Sequence, residues 1–148
     1  MAATPPPPET SPRSTLLHRV GFVETDAMGV VHHSNYLRYF EAARVKWLQE
    51  HDQPYTAYME MGLNFAVTNA EVAYHRSARF DDPLEITVWM RWVRGASLAM
   101  EYQVLCREAL IASGRTEHAA VDAEGKVRRI PRERLQNLRG RVPEEGES

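Results

Sequence analysis

The sequence is poor in cysteine, in long apolar runs and in net charge. Cys106 is its single cysteine, which excludes an intramolecular disulfide and a cysteine-rich metal site. No apolar run approaches the ~20 residues that a membrane-spanning helix needs. The formal net charge of −2 does not indicate a broadly nucleic-acid-binding surface. We therefore predict a cytoplasmic protein with no membrane span and no nucleic-acid partner.

Proline is concentrated at the N-terminus, where Pro5 to Pro8 and Pro12 lie. We predict that residues 1–14 form a disordered tail that samples polyproline II, since they lack the apolar segment of a signal peptide. Residues 142–148 are acidic and are predicted to be frayed. The composition of 43% hydrophobic and 26% charged residues is ordinary for a globular protein, so residues 15–141 are predicted to form one domain.

The spacing of apolar residues predicts the secondary structure. Residues 16–23 alternate as a first strand, and Tyr36, Phe40, Ala43 and Trp47 recur at helical spacing in a helix that ends near His51. Ser34 or Asn35 is predicted to cap this helix. A short helix at 55–61, strands at 65–76, 84–93, 98–106 and 110–121, and a helix at 132–139 complete the prediction. The pattern is typical of an α+β fold in which one antiparallel sheet packs on a long helix.

Residues 24–36 combine a carboxylate, a glycine, two histidines and the start of the long helix. The free backbone N–H groups and the positive end of the dipole at a helix N-terminus favour developing negative charge. A carboxylate such as Asp26 beside such a donor suits attack on a carbonyl. The stretch therefore indicates acyl transfer, and more specifically thioester hydrolysis, although an aspartate here is also common as a plain turn residue.

Residues 26–44 resemble the signature of the hotdog-fold acyl-CoA thioesterases, in the branch of 4-hydroxybenzoyl-CoA thioesterase and the Tol-Pal-associated acyl-CoA thioesterases. Residues 78–86, 94–98 and 122–131 resemble the same branch in the same order. The resemblance implies a five-stranded antiparallel sheet wrapped around one long helix. It also implies a homodimer joined edge to edge, often paired into a homotetramer, with active sites at the dimer interface.

The resemblance also implies roles for the residues of the first motif. Asp26 occupies the position of the catalytic carboxylate, and would act as the nucleophile or as the general base for water. The backbone N–H of His33 would polarise the thioester carbonyl, and its imidazole would either relay a proton or merely line the pocket. Gly29 would permit the tight turn, and Val31 and His32 would lead into the helix beside the substrate.

Arg94, Arg128 and Arg129 match positions at which basic residues of the family meet coenzyme A phosphates, which suit the planar guanidinium fork. Each of them, taken alone, is as readily explained as a solvated surface arginine. We expect no separate cofactor, because coenzyme A is part of the substrate. We also expect no metal, because adjacent His32 and His33 are poorly spaced to hold one ion.

One other substrate class and two other functions compete with acyl-CoA hydrolysis. The other substrate class is an acyl-carrier-protein thioester. A hotdog dehydratase is disfavoured because the chain lacks a histidine before a Phe-Pro-Gly-like turn. A non-catalytic acyl-CoA-binding module is the main alternative, and retention of Asp26 with Gly29 argues against it. His33 stands where hydroxybenzoyl-CoA enzymes carry tyrosine, which counts against that acyl group and leaves the acyl identity open.

Overall fold

The computed structural model describes Pro7, Glu9 and residues 11–143. Most of the predicted N-terminal tail, and residues 144–148 of the predicted C-terminal tail, lie outside this part of the chain. The described elements are five strands, three α-helices and one short 3-10 turn. They are, in chain order, β1 (Arg13–Arg19), the 3-10 turn (Phe22–Glu24), α1 (Asn35–His51), α2 (Tyr55–Glu60), β2 (Asn64–Tyr74), β3 (Pro83–Val93), β4 (Ser97–Cys106), β5 (Ala109–Val121) and α3 (Arg132–Arg139).

The strands form one antiparallel sheet in the order β1-β3-β4-β5-β2. Tight hairpins join β3 to β4 and β4 to β5, while β2 is placed at the far edge by pairing with β5. The predicted five-stranded antiparallel sheet and its long helix are thereby confirmed. None of the described helices is long and apolar enough to cross a membrane.

The concave face of the sheet packs on one side of α1. Phe40, Ala43 and Trp47 are completely buried, as their spacing predicts, whereas Leu37 remains 44% exposed. The Phe40 ring stacks on Tyr102 of β4 with ring centres 4.2 Å apart. A Cβ atom at Gly114 would lie 2.4 Å from the Phe40 ring, so only glycine lets the helix approach β5 this closely.

The predicted first strand is wrong at both ends. β1 begins at Arg13, which assigns two residues of the predicted tail to the sheet, and it ends at Arg19. Phe22 and Val23 lie in the 3-10 turn and are 75% and 93% exposed. The chain turns here because the Glu24 carboxylate accepts the N–H of Gly21 at 2.9 Å, a local bond that overrides the alternating pattern.

The sheet has two ends with different neighbours. We call one the loop end: Tyr74 of β2 lies there, and its hydroxyl donates to the carbonyl of His33 just before α1 at 3.3 Å. We call the other the hairpin end, which holds the β3–β4 hairpin around Gly95. Ile130 donates to the Gly95 carbonyl there, and Arg134 of α3 contacts Asp52 at the C-terminus of α1. α1 therefore runs from the loop end to the hairpin end.

Candidate active site

Asp26 begins a tight turn between the 3-10 turn and α1. The Asp26 N–H donates to the Val30 carbonyl and the Gly29 N–H donates to the Asp26 carbonyl, both at 2.9 Å. Gly29 has φ of +79°, a left-handed conformation that favours glycine, so its predicted place in the turn is confirmed. The turn fixes the backbone of Asp26 on the loop that leads to α1.

The Asp26 carboxylate is half-buried and partly oriented by its own turn. The backbone N–H of Met28 donates to Oδ1 at 2.8 Å, which is an Asx-type contact. Among the described residues, Oδ2 accepts no hydrogen bond. The geometry therefore holds the carboxylate in place and leaves one oxygen available for a reacting atom or water.

Val31 and His32 position the loop through their backbone. Val31 is buried and its N–H donates to Ala78 at 2.8 Å, while the His32 N–H donates to the Glu24 carbonyl at 2.8 Å. Both N–H groups are thus already used and cannot polarise a substrate carbonyl. These two residues shape the approach to the helix rather than supply its free donors.

The His32 side chain holds Ser34, the residue just before α1, and the His32 carbonyl accepts the N–H of Asn35 at 2.9 Å. The Ser34 N–H donates to Nδ1 of His32 at 3.2 Å, and the Ser34 hydroxyl lies 2.8 Å from the same nitrogen. Nδ1 is therefore an acceptor, and the neutral ring carries its proton on Nε2. Ser34 is the N-cap residue, as predicted, but its side chain makes no hydrogen bond to an N–H of the first turn, and the Asn35 side chain donates to Glu24 instead.

His33 supplies the unused donor at the start of the helix. Its carbonyl accepts the Tyr74 hydroxyl at 3.3 Å and the Tyr36 N–H at 3.4 Å, but its own N–H has no acceptor among the described residues. Its exposed imidazole stacks on that of His32, with ring centres 4.1 Å apart. An unpaired N–H at a helix N-terminus is the group that a developing oxyanion requires.

Glu24 is the residue of the loop that sequence reasoning missed. Its carboxylate accepts the Tyr39 hydroxyl of α1 and His18 Nε2 of β1, the latter at 2.8 Å. Burial opposes ionisation of Glu24, but these hydrogen bonds outweigh burial and hold its pKa below the ordinary value. Burial and the hydrogen bond to Glu24 raise the pKa of Tyr39, which therefore stays protonated as the donor.

The backbone carbonyl of Glu24 ties the same residue to the helix entry. It accepts the His32 N–H and the Asn35 side-chain amide, each at 2.8 Å. Asn35 is consequently a loop-fixing amide and is buried. A glutamate three residues after Gly21, in capping-box spacing, is the sequence signal that would have revealed this arrangement.

A cleft of about 210 Å³ opens beside the His33 side chain. Its lining residues come from the helix entry and from the end of β2: Val31, His33, Tyr36, Tyr74, His75, Arg76 and Ser77. Asp26 does not line this cleft, so the two predicted catalytic residues share one loop but not one cavity. Burial, together with the charge of Tyr74, raises the pKa of Tyr36 to about 12.

The three predicted coenzyme A arginines lie together at the hairpin end. Arg94 stacks over the Trp92 ring at 4.1 Å, and Arg128 pairs with Asp122 at 2.7 Å. The guanidinium of Arg129 lies against Gly95. The 17-residue α1, about 25 Å long at ~1.5 Å per residue, separates this cluster from the loop end. Within one chain, the arginines therefore do not meet Asp26 and His33.

The unpaired edge of β2 is exposed along its middle. Residues 66–71 are all exposed, so both faces of the strand are open there, and Val67 is 54% exposed. No described strand pairs with the outer edge of β2. Open apolar edges of this kind are templates for pairing with a second chain.

Fold and loop together define a class: a hotdog protein, in which a five-stranded antiparallel sheet wraps a long helix entered through an acidic turn. The chain belongs to the thioesterase-like superfamily, whose family model matches residues 20–138.

Individual relatives agree with the family assignment. The acyl-CoA thioesterase YbgC of Haemophilus influenzae is 31% identical over 113 residues, which cover 76% of this chain and 82% of that protein. The acyl-CoA thioester hydrolase YbgC of Escherichia coli O157:H7 is 37% identical over 90 residues, covering 61% of this chain and 67% of that protein. The crystal structure of a hypothetical protein from Thermus thermophilus is 31% identical with a TM-score of 0.84, covering 89% and 99% of the two chains.

Proposed function

We propose that this protein hydrolyses an acyl-CoA thioester to a free acid and coenzyme A. The observation that carries the proposal is the unpaired N–H of His33 at the start of α1, on the same loop as the half-buried carboxylate of Asp26. The names of the Haemophilus and Escherichia relatives support the same reaction and the same thioester class.

In this mechanism the substrate carbonyl oxygen accepts the His33 N–H. Asp26 either adds directly to the carbonyl carbon or removes a proton from the water that adds to it. The carbon–sulfur bond then breaks, and the coenzyme A thiolate leaves and takes up a proton. In the direct route this step leaves the acyl group on Asp26 as an anhydride, which water then hydrolyses to release the free acid and restore the carboxylate. Loss of one such oxyanion donor typically costs ~3 kcal/mol of transition-state stabilisation, so the N–H contributes substantially whatever side chain residue 33 carries.

We further propose that the working form is a homodimer, or a homotetramer built from it, joined through the β2 edges. Tyr74 lies at the loop end of β2 and Asn64 at its hairpin end. Antiparallel pairing about a two-fold axis sets the loop end of one copy beside the hairpin end of the other. Arg94, Arg128 and Arg129 of a second copy would then approach the Asp26 loop and could bind the coenzyme A phosphates.

The proposal is tested by free-thiol release from a panel of acetyl-, butyryl-, hexanoyl-, palmitoyl-, benzoyl- and hydroxyphenylacetyl-CoA. A matched acyl-carrier-protein thioester of the best acyl group tests the alternative carrier. We expect turnover of at least one acyl-CoA, with the carrier-protein thioester a poorer substrate. A carrier-protein thioester that is hydrolysed faster would reassign the substrate.

A non-catalytic acyl-CoA-binding module is the second candidate. It is favoured by the Asp26 contact with Met28, which is the contact of an ordinary turn aspartate, and by the position of Asp26 outside the cleft. This candidate predicts that the protein binds acyl-CoA in calorimetry yet releases no thiol from any member of the panel.

A further inference from the structure

The cleft beside His33 is lined by one arginine and two histidines. We propose that it binds a carboxylate carried on the acyl group of the substrate, with Arg76 as the main partner and His33 and His75 beside it. The inference rests on the proposed thioesterase function and adds to it a substrate class: short acyl groups with a second, distal carboxylate.

Arg76 is the charged residue of the lining, and His33 and His75 add imidazole groups that can donate hydrogen bonds. Three of the seven lining residues carry a guanidinium or an imidazole, and none is an aspartate or glutamate. Arg76 is exposed and, like Arg139, makes no ion pair with any carboxylate in the described part of the chain. A guanidinium without a carboxylate partner, at the wall of a cleft, is suited to a carboxylate ligand through its planar fork.

The backbone under these side chains is held in place. The N–H groups of His75 and Arg76 both donate to the carbonyl of Ile111, at 2.8 and 3.1 Å, where β2 leaves the sheet. The His75 ring is fixed in turn, with Nε2 3.1 Å from the hydroxyl of Ser113 on β5. The backbone of His75 and Arg76 and the ring of His75 are therefore anchored to the sheet and do not depend on a free loop.

The remaining walls suit a short chain of methylene groups. Tyr36 and Tyr74 meet edge to face with ring centres 5.5 Å apart, and Val31 is buried between the loop and the sheet. A cleft of about 210 Å³ corresponds to the volume of about seven water molecules. That space accommodates an acyl group of a few carbons.

The position of the cleft indicates the acyl part rather than the nucleotide. His33, whose N–H is the proposed carbonyl donor, lines the same cleft. In any acyl-CoA the pantetheine arm separates the thioester from the phosphates, so a phosphate of the same molecule does not fit into a cavity this small. An anion bound next to the carbonyl must therefore belong to the acyl group.

Paired substrates and paired variants test the inference. Glutaryl-CoA and valeryl-CoA have five acyl carbons each and differ by the distal carboxylate. The variants are Arg76→Gln and, as a control with the same charge change, Arg139→Gln at the end of α3 in the hairpin half of the molecule. The measured quantities are kcat/KM and KM for both substrates in all three proteins.

We expect the wild type to prefer glutaryl-CoA. Arg76→Gln should lower kcat/KM for glutaryl-CoA about 10- to 100-fold, the usual range for a lost charge-assisted hydrogen bond, and leave valeryl-CoA within about twofold. Arg139→Gln should change neither. Equal turnover of both substrates by the wild type would overturn the inference, as would an equal loss for both in Arg76→Gln, which would assign Arg76 to the coenzyme A moiety.

A binding measurement separates this inference from the thioesterase proposal. Glutarate and valerate are titrated into each protein while the imidazole resonances of His33 and His75 are followed by NMR at constant pH. We expect glutarate to shift both resonances in the wild type and in Arg139→Gln but not in Arg76→Gln, and valerate to shift neither. If glutarate produces no shift, the carboxylate site is refuted even if valeryl-CoA is hydrolysed. If glutarate binds as expected and no thioester is hydrolysed, the site stands and the thioesterase proposal fails.

Discussion

Replacing His118 should remove a large part of the protein's sensitivity to acid. His118 lies on β5, is 1% exposed, and accepts or donates one hydrogen bond through Nε2, to Thr116 at 2.8 Å. Its Nδ1 is buried without a hydrogen-bond partner among the described residues. The hydroxyl of Thr116 is also hydrogen-bonded to the hydroxyl of Tyr102, which accepts a second hydrogen bond from Arg44.

The size of the effect follows from the pKa of His118. Burial and, second, the nearby positive charge of Arg44 lower this pKa from 6.5 to about 4, against the opposing effect of the Phe65 backbone. In the unfolded chain His118 binds a proton near pH 6.5, whereas in the folded chain it does so only near pH 4. At 1.36 kcal/mol per pH unit, the folded state loses about 3 kcal/mol as the pH falls through this window.

The assay is urea unfolding at a series of pH values from 7.5 to 4. We expect the free energy of unfolding of the wild type to fall about 3 kcal/mol more than that of His118→Gln, with full stability present above pH 6.5. His33→Gln, which removes an exposed imidazole, should follow the wild-type profile. Parallel profiles for the wild type and His118→Gln would refute the reasoning, since the burial of His118 would then not exclude its proton.

Three other substitutions probe separate parts of the account. Glu24→Gln should cost about 1–3 kcal/mol of stability and lower kcat more than it raises KM. The reason is that one amide oxygen cannot accept every hydrogen bond that the carboxylate now accepts. Unchanged steady-state kinetics would contradict the positioning role of Glu24. Gly114→Ala should destabilise by about 1–3 kcal/mol in urea unfolding, because the new methyl overlaps the Phe40 ring. In light scattering we expect the wild type to show the proposed dimer and Val67→Lys to be a monomer, and a monomeric wild type would contradict pairing through β2.

Elements with strong local periodicity were predictable from the sequence. The bounds of α1 and α3 and the apolar face of β4 follow from spacing alone, because each element buries one regular face. The alternation along β3 predicts Trp89 on the polar face with Glu85 and Arg91, yet Trp89 is fully buried and donates to Glu101 at 3.2 Å. Burial of this pair raises the pKa of Glu101. The burial of Trp89 and Glu101 depends on neighbours in three strands, and periodicity within one strand does not predict such neighbours.

The local geometry of the candidate site was more predictable than its long-range arrangement. The turn at Gly29 and the free N–H near His33 follow from local sequence, because both lie within one loop. The role of Glu24 depends on His18 and Tyr39, which the fold brings from β1 and α1. The separation of the arginine cluster from the loop depends on the direction of α1 across the sheet, which is set by packing between distant parts of the chain. The catalytic roles of Asp26 and His33 remain predictions.

The most direct test of the central claim is thiol release by Asp26→Asn with the best acyl-CoA of the panel, measured together with binding of the same acyl-CoA. Asparagine keeps the shape and the Met28 contact but removes the charge and basicity. Asp81→Asn is the matched control, since Asp81 is exposed and its φ of +68° is tolerated by asparagine. The account predicts retained binding, a fall in kcat of two or more orders of magnitude for Asp26→Asn, and wild-type turnover for Asp81→Asn. Equal turnover by Asp26→Asn and the wild type would contradict it, and Asp26 would then be a turn residue only.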